Sequence, residues 1–224
     1  MSDRDPLRQC LCAGLEALNL DLADDIVAKL LDYLGVLQRW NSTYNLSAVR
    51  DPLAMVTRHL LDSLAIARLV RGATLADLGS GAGLPGIPLS IVAPQRRVVL
   101  VDSNGKKARF LRAAARELGL ANVSVAECRV ESMQGSFDCV TARAFASLAD
   151  MLAWGGRLLA ADGVWLALKG RFPQSELDAV PAAFRIAAVA ALDVPGLDAE
   201  RHVVVIKRAG NDDATGEQGS AAPT

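Results

Sequence analysis

A short apolar run, Thr74 to Leu78, leads into Asp77-x-Gly79-x-Gly81-x-Gly83 and then Leu84-Pro85-Gly86. Strand, glycine-rich turn and helix is the order in which an α/β sheet brings bare backbone N–H groups up to a nucleotide-like ligand. Gly81 to Gly86 satisfies G-x-G-x-x-G, and Asp102 follows where a ribose-binding acid would sit, as in dinucleotide sites. The register that begins at Asp77 separates two ligand classes. A carboxylate at the strand end repels a pyrophosphate but suits the sulfonium and ammonium groups of S-adenosylmethionine. Asp77 also has a plainer role open to it, capping the turn through its own backbone. The methyl-donor reading is favoured, with Asp77, Gly79, Gly81 and Gly83 as cofactor-binding residues.

Asp102, at the end of a second strand, is placed to accept hydrogen bonds from ribose hydroxyls; the alternative is a cap for the helix beginning near Asn104. Val130-Glu131 follows a third strand, at the sheet edge that would meet an adenine ring, although Glu131 alone reads as a surface residue. Lys106, Lys107, Arg109, Arg112 and Arg116 fall in one helix without an acid among them, and four of them share a face. In a chain of net charge −1, such a cationic face beside the glycine turn points to a phosphate-rich substrate. Arg50, Arg58, Arg143, Lys169 and Arg171 are possible additions.

Missing motifs narrow the reaction. No D-P-P-Y or N-P-P-Y tetrapeptide follows the fourth strand, as methylation of an exocyclic adenine amine would use, and no Pro-Cys pair supports a covalent cytosine mechanism. Four cysteines and two histidines lack metal-ligand spacing, so no metal is expected.

Around these residues the pattern requires helices over about 7–40, a polar loop over Asn41–Asp51, and a helix from Pro52 to about Val70. Strands then alternate with helices: Thr74 onward, Arg97–Asp102, Asn122–Ala126, Phe137–Ala142, Gly163–Leu168, Arg185–Val194 and His202–Lys207, with helices over Asn104–Leu118, Ser147 to about Leu159, and Glu176–Ala183. This is an α/β fold of the class I methyltransferase kind, Rossmann-like with a seven-stranded, mostly parallel sheet and an N-terminal helical extension. Residues 1–72 form the helical cap and 73–209 the methyltransferase domain; 210–224 has the composition of a disordered tail. At 51% hydrophobic and 4% aromatic, without a signal sequence or an apolar run long enough to span a bilayer, the chain reads as cytoplasmic, with no membrane partner.

The ordered set Trp40-Asn41, Tyr44-Asn45-Leu46, Ala48-Val49-Arg50-Asp51, Arg58-His59 with Leu61-Asp62-Ser63, the glycine turn through Leu84-Pro85-Gly86-Ile87-Pro88, Gly105-Lys106-Lys107, Arg143-Ala144-Phe145-Ala146-Ser147, Leu168-Lys169-Gly170 and Glu200-Arg201-His202 resembles the RsmG (GidB) family of bacterial 16S ribosomal RNA guanine-N7 methyltransferases. Ser47 stands where threonine is usual, and the carboxy-terminal extension is extra. The resemblance implies S-adenosylmethionine contacts at Gly79, Leu84, Val130, Glu131 and Arg143. It also implies methylation of a guanosine in the 530 loop of 16S rRNA. The partner is expected to be naked 16S rRNA, a 30S subunit or an assembly intermediate, a choice the sequence leaves open, and the enzyme is expected to be a monomer.

Guanine N7 carries a lone pair and no proton, so positioning rather than a general base should carry the reaction. Arg143, Tyr44 and Phe145 are the candidates for stacking on the unstacked base, and Asn45 with Arg50 lies in a loop that could border the pocket. His59 and Asp62, three apart, read as a structural pair. Two rivals are a nicotinamide-dependent reductase, which would want a Tyr-x-x-x-Lys pair, and a non-catalytic rRNA-binding domain.

Overall fold

The computed structural model describes residues 4–143 and 146–210. Two helices open the chain, α1 (Arg4–Ala17) and α2 (Asp24–Tyr44). A third helical segment begins at Pro52, capped by Asp51, whose carboxylate accepts from Ala54 N at 2.7 Å. It runs as α3 (Pro52–Met55), a π-helical stretch Val56–Leu61 and α4 (Asp62–Leu64). The wider π turn shifts the phase of the helix at His59 and Asp62.

The sheet follows with β1 (Thr74–Leu78), β2 (Arg97–Val101), β3 (Val123–Ala126), β4 (Phe137–Arg143), β5 (Leu159–Lys169), β6 (Phe184–Ala191) and β7 (His202–Arg208). Between strands lie α5 (Gly86–Val92), α6 (Gly105–Glu117), α7 (Leu148–Gly155) and α8 (Gln174–Leu177). Strand order is β3-β2-β1-β4-β5-β7-β6; the first five in that order run parallel, and β7 is antiparallel to both β5 and β6. The order reverses between β1 and β4, where the carboxyl ends of an open parallel sheet leave a crevice for a ligand.

Strand residues alternate between two apolar layers. Leu75, Leu100, Cys139 and Leu166 share one core with Leu30 and Leu37 of α2, Leu60 before α4, and Leu111 of α6. Ala76, Val101, Val140 and Trp165 face Leu148 and Leu152 of α7 on the other side. The amino-terminal helices thus complete one face of the sheet.

Two departures from the expected boundaries have a local cause. The α2 helix continues through Asn41 to Tyr44, because Asn45 adopts the left-handed conformation (φ 49°) that terminates it. The buried Asn41 then folds the next loop back, donating to Ser47 O at 2.9 Å and accepting from Ser47 N at 2.8 Å. The helix expected over Glu176–Ala183 is only α8, since Pro181 pushes the preceding residue out of the helical region. The proposed tail lies, beyond Gly210, outside the described residues.

Candidate active site at the carboxyl edge of the sheet

The turn after β1 is held from three sides. Gly79 N and Ser80 N donate to Val101 O at 2.9 and 3.0 Å, and Gly81 N donates to Asp102 Oδ2 at 2.9 Å, so the ends of β1 and β2 are locked together. Gly79 sits at φ +71°, a conformation that disfavours any side chain. From below, Tyr33 of α2 donates its hydroxyl to Ala82 O at 2.6 Å. Burial pushes the Tyr33 phenol upward, so it remains a donor at neutral pH.

Asp77 belongs to this support. Its position on β1 turns the carboxylate into the helical layer, where it is fully buried. Oδ2 accepts from Gly86 N at 3.0 Å, and Oδ1 accepts from Thr141 Oγ1 at 3.1 Å. Burial pushes the carboxyl up to about 6, against the pull of those donors and of Arg143. Asp77 lines neither cavity described below, and its hydrogen bonds match the plainer role open to it, holding the turn. A Cβ on Gly86 would lie 2.6 Å from Asp77 Oδ2, which is why glycine stands there.

In front of the turn is a cavity of about 510 Å³, a size that suits a cofactor, lined among others by Gly79, Asp102, Lys107, Val130, Glu131 and Arg143. Asp102 is not the cap of α6; that is Asn104, whose Oδ1 accepts from Lys106 N and Lys107 N at 3.0 and 3.3 Å. Asp102 instead spans Gly81 N and Asn104 N, with Lys107 Nζ 4.0 Å from its Oδ2. Val130 is buried and Glu131 exposed, in a short turn whose carbonyls accept from Arg157 Nη2 at 2.9 and 2.6 Å. Of the remaining cofactor candidates, Gly81 and Gly83 shape the turn without lining the cavity, and the Leu84 side chain lies in the core.

A second cavity, about 430 Å³, is lined among others by Arg58, His59, Asp62, Arg143, Lys169 and Arg201. Arg143, at the end of β4, thus borders both chambers. The nearly buried Asp62 accepts from Arg143 Nη1 through Oδ2 at 2.9 Å and from Arg201 Nε through Oδ1 at 2.8 Å. His59 is not hydrogen-bonded to Asp62; its Nε2 pairs with Ser47 Oγ at 2.8 Å, and burial lowers its pKa. The pairing read from the spacing of His59 and Asp62 is replaced by two separate partnerships.

The other expected residues divide. Lys106, Arg109, Arg112 and Arg116 are exposed along α6, with Arg112 bonded to Glu127 at 2.7 Å. Arg171 is exposed beyond β5, and Arg50 donates to Asn45 Oδ1 at 3.2 Å. Lys169 is already engaged within the protein: its amine donates to Ala146 O at 2.8 Å and to Glu176 at 2.7 Å, and the side chain is 13% exposed. Tyr44 stacks on Trp40 with centroids 5.2 Å apart, and Trp40 meets Phe110 edge-on, so Tyr44 packs the helical cap and lines neither cavity. Phe145 lies outside the described residues. Tyr33 is the support that spacing did not single out; a tyrosine inside an apolar helix stripe, whose hydroxyl needs a buried partner, was the available signal.

Among the described residues no group of His, Cys, Asp or Glu could hold a metal ion, and no helix is long and apolar enough to cross a membrane. Burial pushes the Cys139 thiol up to about 12, unsuited to a nucleophile.

Residues 26–204 match the family described as GidB, rRNA small subunit methyltransferase G. The chain belongs to the GidB family. It is 55% identical over 200 residues to the ribosomal RNA small subunit methyltransferase G of Xanthomonas campestris pv. campestris (strain 8004), covering 88% of this chain and 93% of that one. The protein of the same description from Stenotrophomonas maltophilia (strain K279a) is 53% identical over 195 residues, 86% and 91% of the two chains. Among solved structures, TrmN from Thermus thermophilus shares the fold at a TM-score of 0.55 and 19% identity, over 77% of this chain and 53% of that one. A mutant of MtNAS in complex with S-adenosylmethionine does so at 0.56 and 17%, over 93% and 81%. As a GidB member the chain is an S-adenosylmethionine-dependent rRNA methyltransferase with the Rossmann-like sheet of that class.

Proposed function

We propose that this GidB chain methylates N7 of a guanosine in the 530 loop of 16S rRNA, with the methyl donor in the cavity before Gly79 and the target base in the cavity beside Asp62. The observation that carries the reading is Arg143, which borders both chambers. The cavity before Gly79 suits an adenosine in size, and a carboxylate, Asp102, stands where ribose hydroxyls need an acceptor. In this reading Gly79, Asp102, Val130, Glu131 and Arg143 hold the cofactor, while Asp77, Gly81, Gly83 and Leu84 shape the turn. When bound, S-adenosylmethionine supplies a methyl group activated on a sulfonium.

The chain's own part is positioning. N7 offers its lone pair without losing a proton, so no residue has to act as general base. The major-groove edge of guanine presents O6 and N7, both acceptors, whereas adenine places an amine donor beside N7. A chamber bordered by Arg58, Arg143 and Arg201, with Asp62 as the acid that orients two of them, favours the guanine edge. Positioning also requires that Arg143 stay fixed, and the Asp62 carboxylate supplies that restraint. The exposed cations of α6 and Arg171 would hold the RNA backbone.

We further place the enzyme in the cytoplasm, acting as a monomer on the 30S subunit or an assembly intermediate. The test is transfer of a labelled methyl group to 30S subunits, naked 16S rRNA and assembly intermediates from a strain lacking the enzyme, followed by mapping of the modified nucleotide. Label on N7 of a 530-loop guanosine is expected; label on another atom or another loop would refute the reading.

A further inference from the structure

Among the described residues two large apolar side chains stand about half exposed, Leu53 at 46% and Phe172 at 47%. Leu53 lies on the helical cap, in α3. Phe172 lies three residues past the carboxyl end of β5, on the edge of the sheet that also carries Gly79, Asp102 and Arg143. Because β7 runs antiparallel to β5, its first residue, His202, comes back to that same edge opposite Lys169.

His202 and Phe172 set each other's orientation. His202 Nδ1 donates to Gly170 O at 3.1 Å, fixing the imidazole against the loop that carries Phe172. The two rings stand 81° apart with centroids at 5.5 Å. An edge-to-face pair of this kind covers at most one face of the phenyl ring, and the residue is left 47% exposed. Arg201 lines both the chamber beside Asp62 and the neighbouring hollow that includes Phe172, so the exposed ring sits next to the chamber assigned to the target base. Arg171, its immediate neighbour, is exposed and makes no ion pair among the described residues. Asp193 and Glu200 also line that hollow and would repel a phosphate within it, which leaves Arg171, outside its lining, for the backbone.

We propose that Phe172 is a stacking platform for a nucleobase next to the methylated guanosine, with the intervening phosphate held by Arg171. The inference rests on the assignment of the Asp62 chamber to the target base. A guanosine drawn out of its stack leaves its neighbours without a partner on one side, and an exposed aromatic face replaces that contact for any base. The platform thus stabilises the unstacked strand and acts on substrate binding, not on the methyl transfer step.

The experiment measures steady-state methylation of 30S subunits from a strain lacking the enzyme by wild-type protein and by Phe172→Ala, Phe172→Leu and Phe172→Tyr. It is paired with the fluorescence of 2-aminopurine placed next to the guanosine in a single-stranded RNA oligonucleotide. Stacking energies of this kind predict a KM raised about 5- to 150-fold in Phe172→Ala and Phe172→Leu. Phe172→Tyr should stay close to wild type, and kcat and S-adenosylmethionine affinity should be unchanged. The fluorophore should be quenched by wild type and by Phe172→Tyr alone. Wild-type KM in Phe172→Leu would reduce the ring to an apolar filler and overturn the proposal. A raised KM with quenching unaltered by Phe172→Ala would give the surface to a ribosomal protein and also overturn it. Absence of methylation by the wild-type protein would count against the assigned reaction instead, and the quenching comparison would still decide the platform.

Discussion

The Asp62 carboxylate joins two guanidinium groups from distant parts of the sequence, Arg143 at the end of β4 at 2.9 Å and Arg201 just before β7 at 2.8 Å. The acid belongs to the amino-terminal helices, so the helical cap fixes the residue that separates the two chambers. Removing one member of a buried ionic group leaves the others uncompensated, at a cost of about 3–5 kcal/mol. Asp62→Ala should lose stability of that order in urea unfolding, and its methyl transfer should fall by roughly 100-fold as Arg143 loses its restraint. Unchanged turnover in a folded Asp62→Ala protein would show that Arg143 needs no anchoring.

A second support reaches the glycine turn from the same helices. Tyr33→Phe keeps the ring in the core and removes the donor to the buried Ala82 carbonyl. An unsatisfied buried carbonyl costs about 1–3 kcal/mol. The expected outcome is a lower thermal midpoint together with weaker S-adenosylmethionine binding by calorimetry. A Tyr33→Phe protein that is less stable but binds the cofactor with wild-type affinity would confine Tyr33 to the core.

Asp77 carries a pH dependence whose sign follows from its burial. The folded carboxyl sits at about 6, above its unfolded value, so the folded state holds the proton more tightly. This contribution to stability is complete below the unfolded pKa and is lost as pH rises through about 6. Asn at this position can still accept from Gly86 N and donate to the Thr141 hydroxyl, so Asp77→Asn should fold. The stability difference between Asp77→Asn and wild type should move in favour of the variant as the pH is raised from acid to neutral, measured by urea unfolding at each pH. A difference that stays flat would mean that burial leaves the Asp77 carboxyl with its unfolded proton affinity.

The α6 cations differ in what they are free to do. Arg109 and Arg116 are exposed without an ion pair among the described residues, whereas Arg112 holds Glu127 and Lys169 holds Glu176. Removing one cation that neutralises a phosphate lowers the slope of log K against log salt by about 1. The double variant Arg109→Gln, Arg116→Gln should bind 16S rRNA with a slope reduced by about 2, and Lys169→Gln should leave the slope alone. Equal slopes for the double variant and wild type would move the RNA to another face.

Much of the fold is legible in the sequence, for identifiable reasons. The parallel strands are apolar runs ending in turn residues, so β1, β2 and β4 stand where periodicity puts them, and with them Gly79, Asp102 and Arg143. The cationic face of α6 follows from helical spacing alone. What spacing does not show is direction across the sheet. Asp77 precedes the glycines in a way that suggests a ligand contact, yet the alternation of β1 sends it into the core. The Asp62–Arg143–Arg201 group joins residues 81 and 139 positions apart, and no local pattern encodes such a meeting. The π turn at Val56–Leu61 breaks the 3.6-residue period on which the His59–Asp62 pairing was based.

A crystal structure of the protein with S-adenosylhomocysteine and guanosine bears most directly on the two-chamber arrangement. The account predicts ribose on Asp102, adenine against Val130–Glu131, and the guanine base beside Arg143 within the Asp62 chamber, with N7 facing the sulfur. Nucleoside density anywhere other than the Asp62 chamber, or cofactor density away from Gly79, would contradict it.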